Sequence, residues 1–279
     1  MRGGLAMASI DLNADLGEGY GAWSFGQDEA LMRSITSANI ACGWHAGDPA
    51  TMRASVLGCL KAGVAIGAHP GLPDRLGFGR REMALSPDEI YDGVLYQLGA
   101  LEAFVRASGG RLRHMKPHGA LYHMCNQSEA AAEAVARAAA DLRCGLAVFA
   151  QAGSLLLEAA ARHGLPAVAE AFADRAYTAS GKLAERSLPG AVLHDPDAVL
   201  AQALGIASRG EAGTLEGPVL SLSAATICLH GDRPGAAEAA MLLRRGLEEA
   251  GVRVAAPDIG GPAGDGHDGG GGTGKRHER

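Results

Sequence analysis

Short apolar runs alternate along the chain with longer segments in which apolar residues recur at helical spacing. The runs with strand character read SIDLNA, SANIAC, GVAIGAHP, RLRHMKP, GLAVFA, PAVAEAF and TICLHGD. The segments between them predict helices at residues 49–62, 87–107, 128–141, 154–163, 196–208 and 235–250. Proline or serine stands near the start of several of these segments, as is usual where a helix begins. This alternation is typical of βαβ units and a parallel sheet.

The number of these units narrows the fold within the α/β class. Seven strand-like runs before residue 257 favour a closed (β/α) barrel, and spacing alone leaves an open doubly wound sheet as the alternative. A chain of 279 residues that is 47% hydrophobic can bury one large core, so we expect a single domain over residues 1–256. From residue 257 the chain is rich in glycine and poor in apolar residues, which predicts a disordered tail.

Charge and cysteine content exclude several classes of protein. The net charge is −6 and the basic residues are scattered, so we expect no nucleic-acid partner. The N-terminus lacks the apolar segment of a secretory signal, and no apolar run reaches the ~18 residues of a membrane helix. The five cysteines form no CxxC pair, which argues against a disulfide framework and a zinc knuckle. These features predict a cytoplasmic protein with no membrane partner.

One stretch of the tail imitates a nucleotide-binding loop. The letters GGGGTGK have the glycine and lysine spacing of a phosphate-binding loop, but Arg276 stands where Ser or Thr is required. No strand-like run precedes the stretch and no helical pattern follows it. We therefore expect no ATP site in this chain.

Polar and ionisable residues gather where the predicted strands end. Because all strand C-termini of a parallel barrel share one face, residues distant in sequence should meet there in one site. The strand-end residues are Asp11, Asn13, Asp15 and Glu18; Asn39, Cys42, His45 and Asp48; His69 and Asp74; Lys116, His118 and Tyr122; Glu170, Asp174 and Arg175; His230 and Asp232.

The two-residue period of a strand indicates which of these side chains face inward. Alternate residues share a face, so His114, Lys116 and His118 should point to the barrel interior together. We expect Lys116 to stay charged there through carboxylates such as Asp15 or Glu170. Burying a charge without a partner costs too much free energy for this number of ionisable side chains to lie there unpaired. The pattern therefore favours a shared polar site.

Other polar residues have simpler explanations. His163 and His194 are predicted to be structural, and Cys42 and Cys228 to be small buried residues with a lesser chance of contacting a ligand. Asp48 precedes Pro49 and is equally suited to capping a helix.

Six motifs in order resemble the LamB/YcsF family: DLNADLGEG, SANIACGWHAGDPATM, GVAIGAHPGLPDRLGFGRR, KPHGALY, EAFADRAY and ICLHGD. The resemblance implies a seven-stranded (β/α) barrel of the glycoside hydrolase/deacetylase type. It also implies the A subunit of an ATP-dependent 5-oxoprolinase, which hydrolyses the lactam 5-oxo-L-proline to L-glutamate with partner subunits B and C. ATP, with Mg, would serve the complex, and the partners would supply the phosphoryl transfer.

The resemblance and the strand-end positions together select the candidate site residues. The catalytic candidates are Asp15, His45, His69, Lys116, His118, Glu170 and His230. The substrate-binding candidates are Asp11, Asn13, Asn39, Asp48, Asp74, Asp174, Arg175 and Asp232. The chain departs from the family pattern at His123, directly after KPHGALY, and at Ala184 and Glu185 in a lid-like loop.

Two other functions stay open at this point. One is a metal-dependent amide hydrolase or deacetylase acting on a small amide or carbohydrate, with Asp15 and two of His45, His69 and His230 holding a divalent ion. No HExxH motif fixes such a geometry. The other is a carbohydrate-binding module without catalysis, against which the low aromatic content of 4% argues.

Overall fold

A computed structural model describes residues 8–23, 27–185, 187–229 and 235–259. Ten strands and eight helices lie within these ranges. The strands are β1 (Ser9–Leu16), β2 (Ser37–Ala41), β3 (Ala65–His69), β4 (Leu112–Met115), β5 (Ala147–Gln151), β6 (Ala167–Phe172), β7 (Glu211–Ala212), β8 (Leu220–Ser221), β9 (Thr226–Leu229) and β10 (Arg253–Val254). The helices are α1 (Asp28–Leu31), α2 (Pro49–Ala62), α3 (Pro87–Ala107), α4 (Gly119–Gln127), α5 (Glu129–Asp141), α6 (Leu155–Arg162), α7 (Pro196–Arg209) and α8 (Ala236–Glu249).

Seven parallel strands close into a barrel. They follow the order β1, β2, β3, β4, β5, β6 and β9, and β9 pairs back onto β1 with Cys228 opposite Asn13. This closure excludes the open sheet and confirms the predicted barrel. The short β10 pairs with the first two residues of β1, where Ser9 lies opposite Arg253. Beyond β10, Ile259 packs against Phe149 and Val168 at the end of the barrel where the strands begin.

The helices lie close to where the sequence pattern places them, because their starts carry clear capping chemistry. The Asp48 side chain accepts the Thr51 amide proton at the start of α2. Ser86 and Glu89 form a capping box at the start of α3. The sequence missed the four-residue α1 and also α4, which begins at Gly119 directly after His118.

The strand β1 shows how the barrel separates its two faces. Ile10, Leu12, Ala14 and Leu16 are buried in the apolar core. The residues between them, which include Asp11 and Asn13, face the interior of the barrel, where they bond to polar side chains of other strands. The helices therefore pack on a hydrocarbon layer, while the interior of the barrel is largely polar.

Gly67 on β3 leaves the space that the His114 ring occupies. A Cβ atom built at Gly67 would lie only 2.1–2.4 Å from three atoms of that ring. Overpacking of this kind costs typically about 1–3 kcal/mol, so we expect Gly67→Ala to lower the free energy of unfolding by about that amount. Urea denaturation of the purified chain measures the effect.

Gly99 provides the matched control for this prediction. It lies inside α3, and an added Cβ there meets nothing within 4 Å. Gly99→Ala should therefore raise the free energy of unfolding by about 0.5–1 kcal/mol, since alanine favours a helix over glycine. Equal free energies of unfolding for the two variants would show that the His114 ring moves aside without an energetic cost.

Some predicted features lie outside the described residues. These are His230, Asp232 and residues 260–279 of the predicted tail. Among the helices that are described, none has both the length and the hydropathy needed to cross a membrane.

Candidate functional site

A cavity of about 280 Å³ opens at the C-terminal ends of the barrel strands. Another cavity, of about 490 Å³, lies between α7 and α8 and is lined mainly by apolar residues. The smaller cavity is the candidate site, because most of the predicted catalytic residues meet there. Six of its lining residues come from five strands or the loops after them: Asp15, His69, Lys116, His118, Glu170 and Cys228.

Lys116 lies at the centre of this site. Its Nζ lies 2.9 Å from Asp15 Oδ1, 3.2 Å from Glu170 Oε1 and 3.1 Å from Asn13 Oδ1. Burial opposes the charge, but the neighbouring Asp15 and Glu170 raise the pKa of Lys116 well above its ordinary value. The ammonium group is therefore fixed in place and charged, as the strand periodicity and the predicted carboxylate partners required.

The two carboxylates have different environments. Burial also opposes ionisation of Asp15, yet His69 and Lys116 hold its pKa well below the usual range. Glu170 is fully buried; Asn13 Nδ2 donates to its Oε1 at 2.9 Å and the Tyr122 hydroxyl to its Oε2 at 2.9 Å. Asp15 is partly exposed to the cavity, whereas Glu170 is fully buried and pairs with Lys116 from below the cavity floor.

Two amide side chains inside the barrel form hydrogen bonds to these charged groups. Asn39 Nδ2 donates to Asn13 Oδ1 at 2.7 Å and to Asp15 Oδ1 at 2.9 Å. Its Oδ1 lies 2.9 Å from His114 Nε2, which must be the donor because an amide oxygen only accepts. Asn13 and Asn39 thus position the charged residues above them.

Asp11 lies deeper in the barrel. Its Oδ1 accepts hydrogen bonds from Thr36 and Ser37 at 2.6 and 2.8 Å, and its Oδ2 accepts one from Thr226 at 2.6 Å. Burial raises the pKa of Asp11 to about 6 despite these bonds. These contacts join β1 to β9 and to the start of β2.

The raised pKa of Asp11 predicts a pH dependence of stability. A carboxyl that binds its proton more tightly in the folded state stabilises the fold below its unfolded pKa of about 4, and this contribution is lost as pH rises through about 6. The loss is up to about 3 kcal/mol. Denaturation at pH 4 to 7 should show that Asp11→Asn lacks this decline. If the free energy of unfolding falls by the same amount in the wild type and in Asp11→Asn over this pH range, the prediction is wrong.

Three histidines and a glutamate form a second buried group beside Lys116. The His45 and His118 rings stack with centroids 3.7 Å apart, and the His69 ring meets His118 edge-on. Glu18 Oε1 lies 3.5 Å from His45 Nε2 and 3.7 Å from His118 Nδ1. One donor atom from each of the four lies within 4.8 Å of all the others, so they form a possible metal-binding cluster.

Two of these histidines, His45 and His118, are kept neutral by their surroundings. Burial, and then the positive charges that His118 and His69 would carry, lower the pKa of His45 well below its ordinary value. Burial and His69 lower the pKa of His118 to about 3. Near neutral pH both rings offer a lone pair to a proton, a metal or a substrate.

Several predicted residues instead shape the surrounding loops. Asp48 caps α2 and accepts the Gly21 amide proton at 2.7 Å. Asp74 pairs with Arg81, whose hydrogen bonds lower the pKa of that carboxyl to about 2. Arg175 lines the cavity but donates to the carbonyls of Ala184 and Ala191. Asp174 lines the larger cavity between α7 and α8.

The cavity also contains residues that were not selected from the sequence. Arg80, Phe172 and Leu183 line it, as does His123, the residue at which the chain departs from its family pattern. The double arginine of the GFGRR motif was the available signal for Arg80. Arg80 follows Phe78, whose positive φ of 55° turns its carbonyl to accept a hydrogen bond from His118.

Comparisons with known proteins agree with the fold. The LamB/YcsF family model matches residues 10–259. The 5-oxoprolinase A subunit of Chloroflexus aggregans is 52% identical over 90% of this chain and its own full length. That of Methylococcus capsulatus is 52% identical over 89% of this chain and 95% of its own. The crystal structure of the lactam utilization protein from Thermus thermophilus is 46% identical, with a TM-score of 0.86 over 89% of this chain and all of that one.

Proposed function

The chain belongs to the LamB/YcsF family, and on that basis we propose that it is the A subunit of a 5-oxoprolinase, which hydrolyses 5-oxo-L-proline to L-glutamate. The observation that carries the proposal is the fixed Lys116 ammonium at the base of a cavity sized for a small molecule, in a chain whose relatives carry that name. Small-molecule sites combine such a concave shape with a few fixed polar groups.

The substrate has two features that the cavity matches. Water attack on its activated ring carbon forms a tetrahedral intermediate in which the oxygen added from water gains negative charge, and a preorganised cation such as Lys116 stabilises that charge. Its carboxylate needs a second cation, and Arg80 is the lining residue suited to it, since a guanidinium binds a carboxylate with two parallel hydrogen bonds. Asp15 and His118, beside Lys116, then exchange protons with water or with the ring nitrogen.

A lactam is a poor electrophile, and this accounts for the use of ATP. Transfer of the γ-phosphoryl group to the lactam oxygen releases ADP and activates the ring carbon. One water then adds to that carbon, and the C–N bond breaks as the nitrogen takes a proton. A second water releases phosphate and leaves glutamate. We assign the phosphoryl transfer, with Mg, to partner subunits B and C, and the ring opening to this barrel in the cytoplasm.

Reconstitution tests this proposal. The chain is mixed with purified subunits B and C, and glutamate and ADP are measured together with 5-oxoproline as substrate. Equal release of both products by the complex, and none by any of the three chains on its own, is expected. A complex that releases no glutamate would overturn the function. ATP hydrolysis by this chain alone that depends on 5-oxoproline would place the phosphoryl transfer here instead.

The histidine cluster favours one other function, a metal-dependent amide hydrolase or deacetylase. Such an enzyme would need no ATP and no partner. The chain alone, supplied with Zn²⁺ or Mn²⁺, is therefore assayed on acetylated sugars and on small amides. Turnover there, with none in the reconstituted complex, would select this second function.

A further inference from the structure

His69 and His118 meet in an arrangement that two neutral imidazoles cannot hold by themselves. His69 Nδ1 lies 2.7 Å from the Lys116 carbonyl oxygen, and His118 Nε2 lies 2.7 Å from the Phe78 carbonyl oxygen. A carbonyl oxygen only accepts, so both of these ring nitrogens carry the proton. The remaining nitrogens, His69 Nε2 and His118 Nδ1, therefore face each other with lone pairs at 3.0 Å. A cation must join these two nitrogens, and it is either a proton on His69 Nε2, which also faces Asp15 Oδ2 at 3.2 Å, or a metal ion.

His45 points to the same centre and has nothing else to bind. Its side chain is fully buried, and neither of its ring nitrogens has a hydrogen-bond partner within the described part of the chain. Buried polar groups are nearly always satisfied, so such a ring calls for a ligand. His45 Nε2 lies 3.5 Å from Glu18 Oε1, which in turn lies 3.7 Å from His118 Nδ1.

The separations of the donor atoms suit a metal ion better than a proton. A shared proton joins only two atoms, whereas four side chains converge here within 4.8 Å of one another. Ligands about 2.0–2.1 Å from a tetrahedral ion lie about 3.3 Å apart. Three of the distances between donor atoms, 3.0, 3.5 and 3.7 Å, fall around this value, and the others are within 4.8 Å. The bonds from His69 and His118 to backbone carbonyls are those that orient metal-binding imidazoles in other proteins.

We propose that Glu18, His45, His69 and His118 bind one divalent transition-metal ion of the zinc type. Three imidazoles and one carboxylate are the ligands that Zn²⁺ takes in proteins. The inference goes beyond the proposed function, because it stands on the geometry of four side chains whatever the substrate. Where the ion is bound, proton transfer falls to Asp15, since both His118 nitrogens are then occupied. It also differs from the ligand set considered from the sequence, since Asp15 is paired with Lys116 and Glu18 and His118 complete the group.

The position of the ion defines what it does. The four ligands lie at or just after the ends of four successive strands, β1 to β4. One ion would therefore connect the loops that surround the cavity. Four protein ligands would close the shell of the ion once the His45 ring turns out of its stack on His118, so we expect the ion to stabilise the fold as well as the site.

Metal binding by the full-length, tag-free chain tests the proposal directly. The chain is stripped with a chelator and titrated with Zn²⁺ by calorimetry and with Co²⁺ by visible absorption. We expect saturation at one ion per chain, a tetrahedral cobalt spectrum and a higher midpoint of thermal unfolding. Glu18→Gln and His45→Gln should each weaken binding by about 100-fold or more, because even loss of a group that only orients a ligand costs about 10–100-fold.

Matched controls locate the ion. His163 pairs with Glu133 at the opposite end of the barrel, so His163→Gln should bind metal as the wild type does. The double variant H267Q/H277Q removes the tail histidines and should also leave binding unchanged. The proposal would be overturned if the wild type bound none of Zn²⁺, Co²⁺, Mn²⁺ and Ni²⁺. It would also be overturned if Glu18→Gln and His45→Gln bound metal as tightly as the wild type does. Glutamate release by the reconstituted complex is measured separately, so either proposal can fail without the other.

Discussion

Replacing Lys116 with methionine should lower glutamate release by the reconstituted complex by about two to three orders of magnitude per folded molecule, the usual cost of losing one group that stabilises transition-state charge. Methionine keeps much of the length of the side chain and removes the ammonium that Asp15 and Glu170 hold at the base of the cavity. The loss should appear in kcat, because the negative charge that Lys116 stabilises develops only as water attacks the ring carbon. Single-turnover and steady-state assays at saturating ATP measure it.

The same substitution carries a cost in stability that must be separated from the cost in activity. Removing one partner of a buried ion pair typically costs about 3–5 kcal/mol, because the other charge is left uncompensated. The double variant Lys116→Met/Glu170→Gln removes the fully buried carboxylate as well, and it should recover most of that stability. It should not recover turnover. If it folds like the wild type and releases glutamate at a comparable rate, Lys116 has only a structural role.

Replacing His118 with asparagine should reduce turnover by about 10²–10⁴-fold, the usual contribution of a positioned acid or base. Asparagine removes the ring that bonds to the Phe78 carbonyl, faces His69 and stacks on His45. Because the pKa of His118 is lowered to about 3, the ring does not titrate between pH 5 and 9, so the rate should fall by the same factor across that range. Rates from pH 5 to 9, corrected for the folded fraction, give both results.

His163→Asn is the control for this experiment. That histidine is also partly buried and also pairs with a glutamate, but it lies at the C-terminal end of α6, away from the cavity. Wild-type rates are expected for it. If His118→Asn has the same rate and the same pH profile as this control, His118 takes no part in proton transfer.

The parts of the fold that were predicted are those with strong local signals. The predicted bounds of α2 and α3 agree with the structure because Asp48 and Ser86 cap them and proline follows each cap. The helix α4 was missed because it begins with Gly119, whose positive φ of 53° and close approach to the Gly79 carbonyl depend on a distant loop. Spacing alone also could not close the barrel, since closure rests on the pairing of β9 with β1.

In the site, too, the features with local sequence signals were predicted and those set by distant contacts were not. Strand periodicity placed Asp15 and Lys116 on the inner face, and their ion pair follows from barrel geometry. Glu18 was expected among the strand-end residues, but its direction toward the histidines could not be predicted, because it lies beyond the end of β1 and follows the left-handed turn at Gly17. The stacking of His45 on His118 joins two loops that are more than 70 residues apart, and no local pattern encodes it.

The way β10 lies beside the start of β1 has a practical consequence for engineering. Ser9 and Arg253 are neighbours in the sheet, and Ile259 crosses the end of the barrel opposite the cavity. An affinity tag or a fluorescent protein fused after residue 259 would therefore begin on the face opposite the substrate. The same proximity makes the barrel suited to circular permutation, with a short linker joining the old ends and new termini placed in an exposed helix connection.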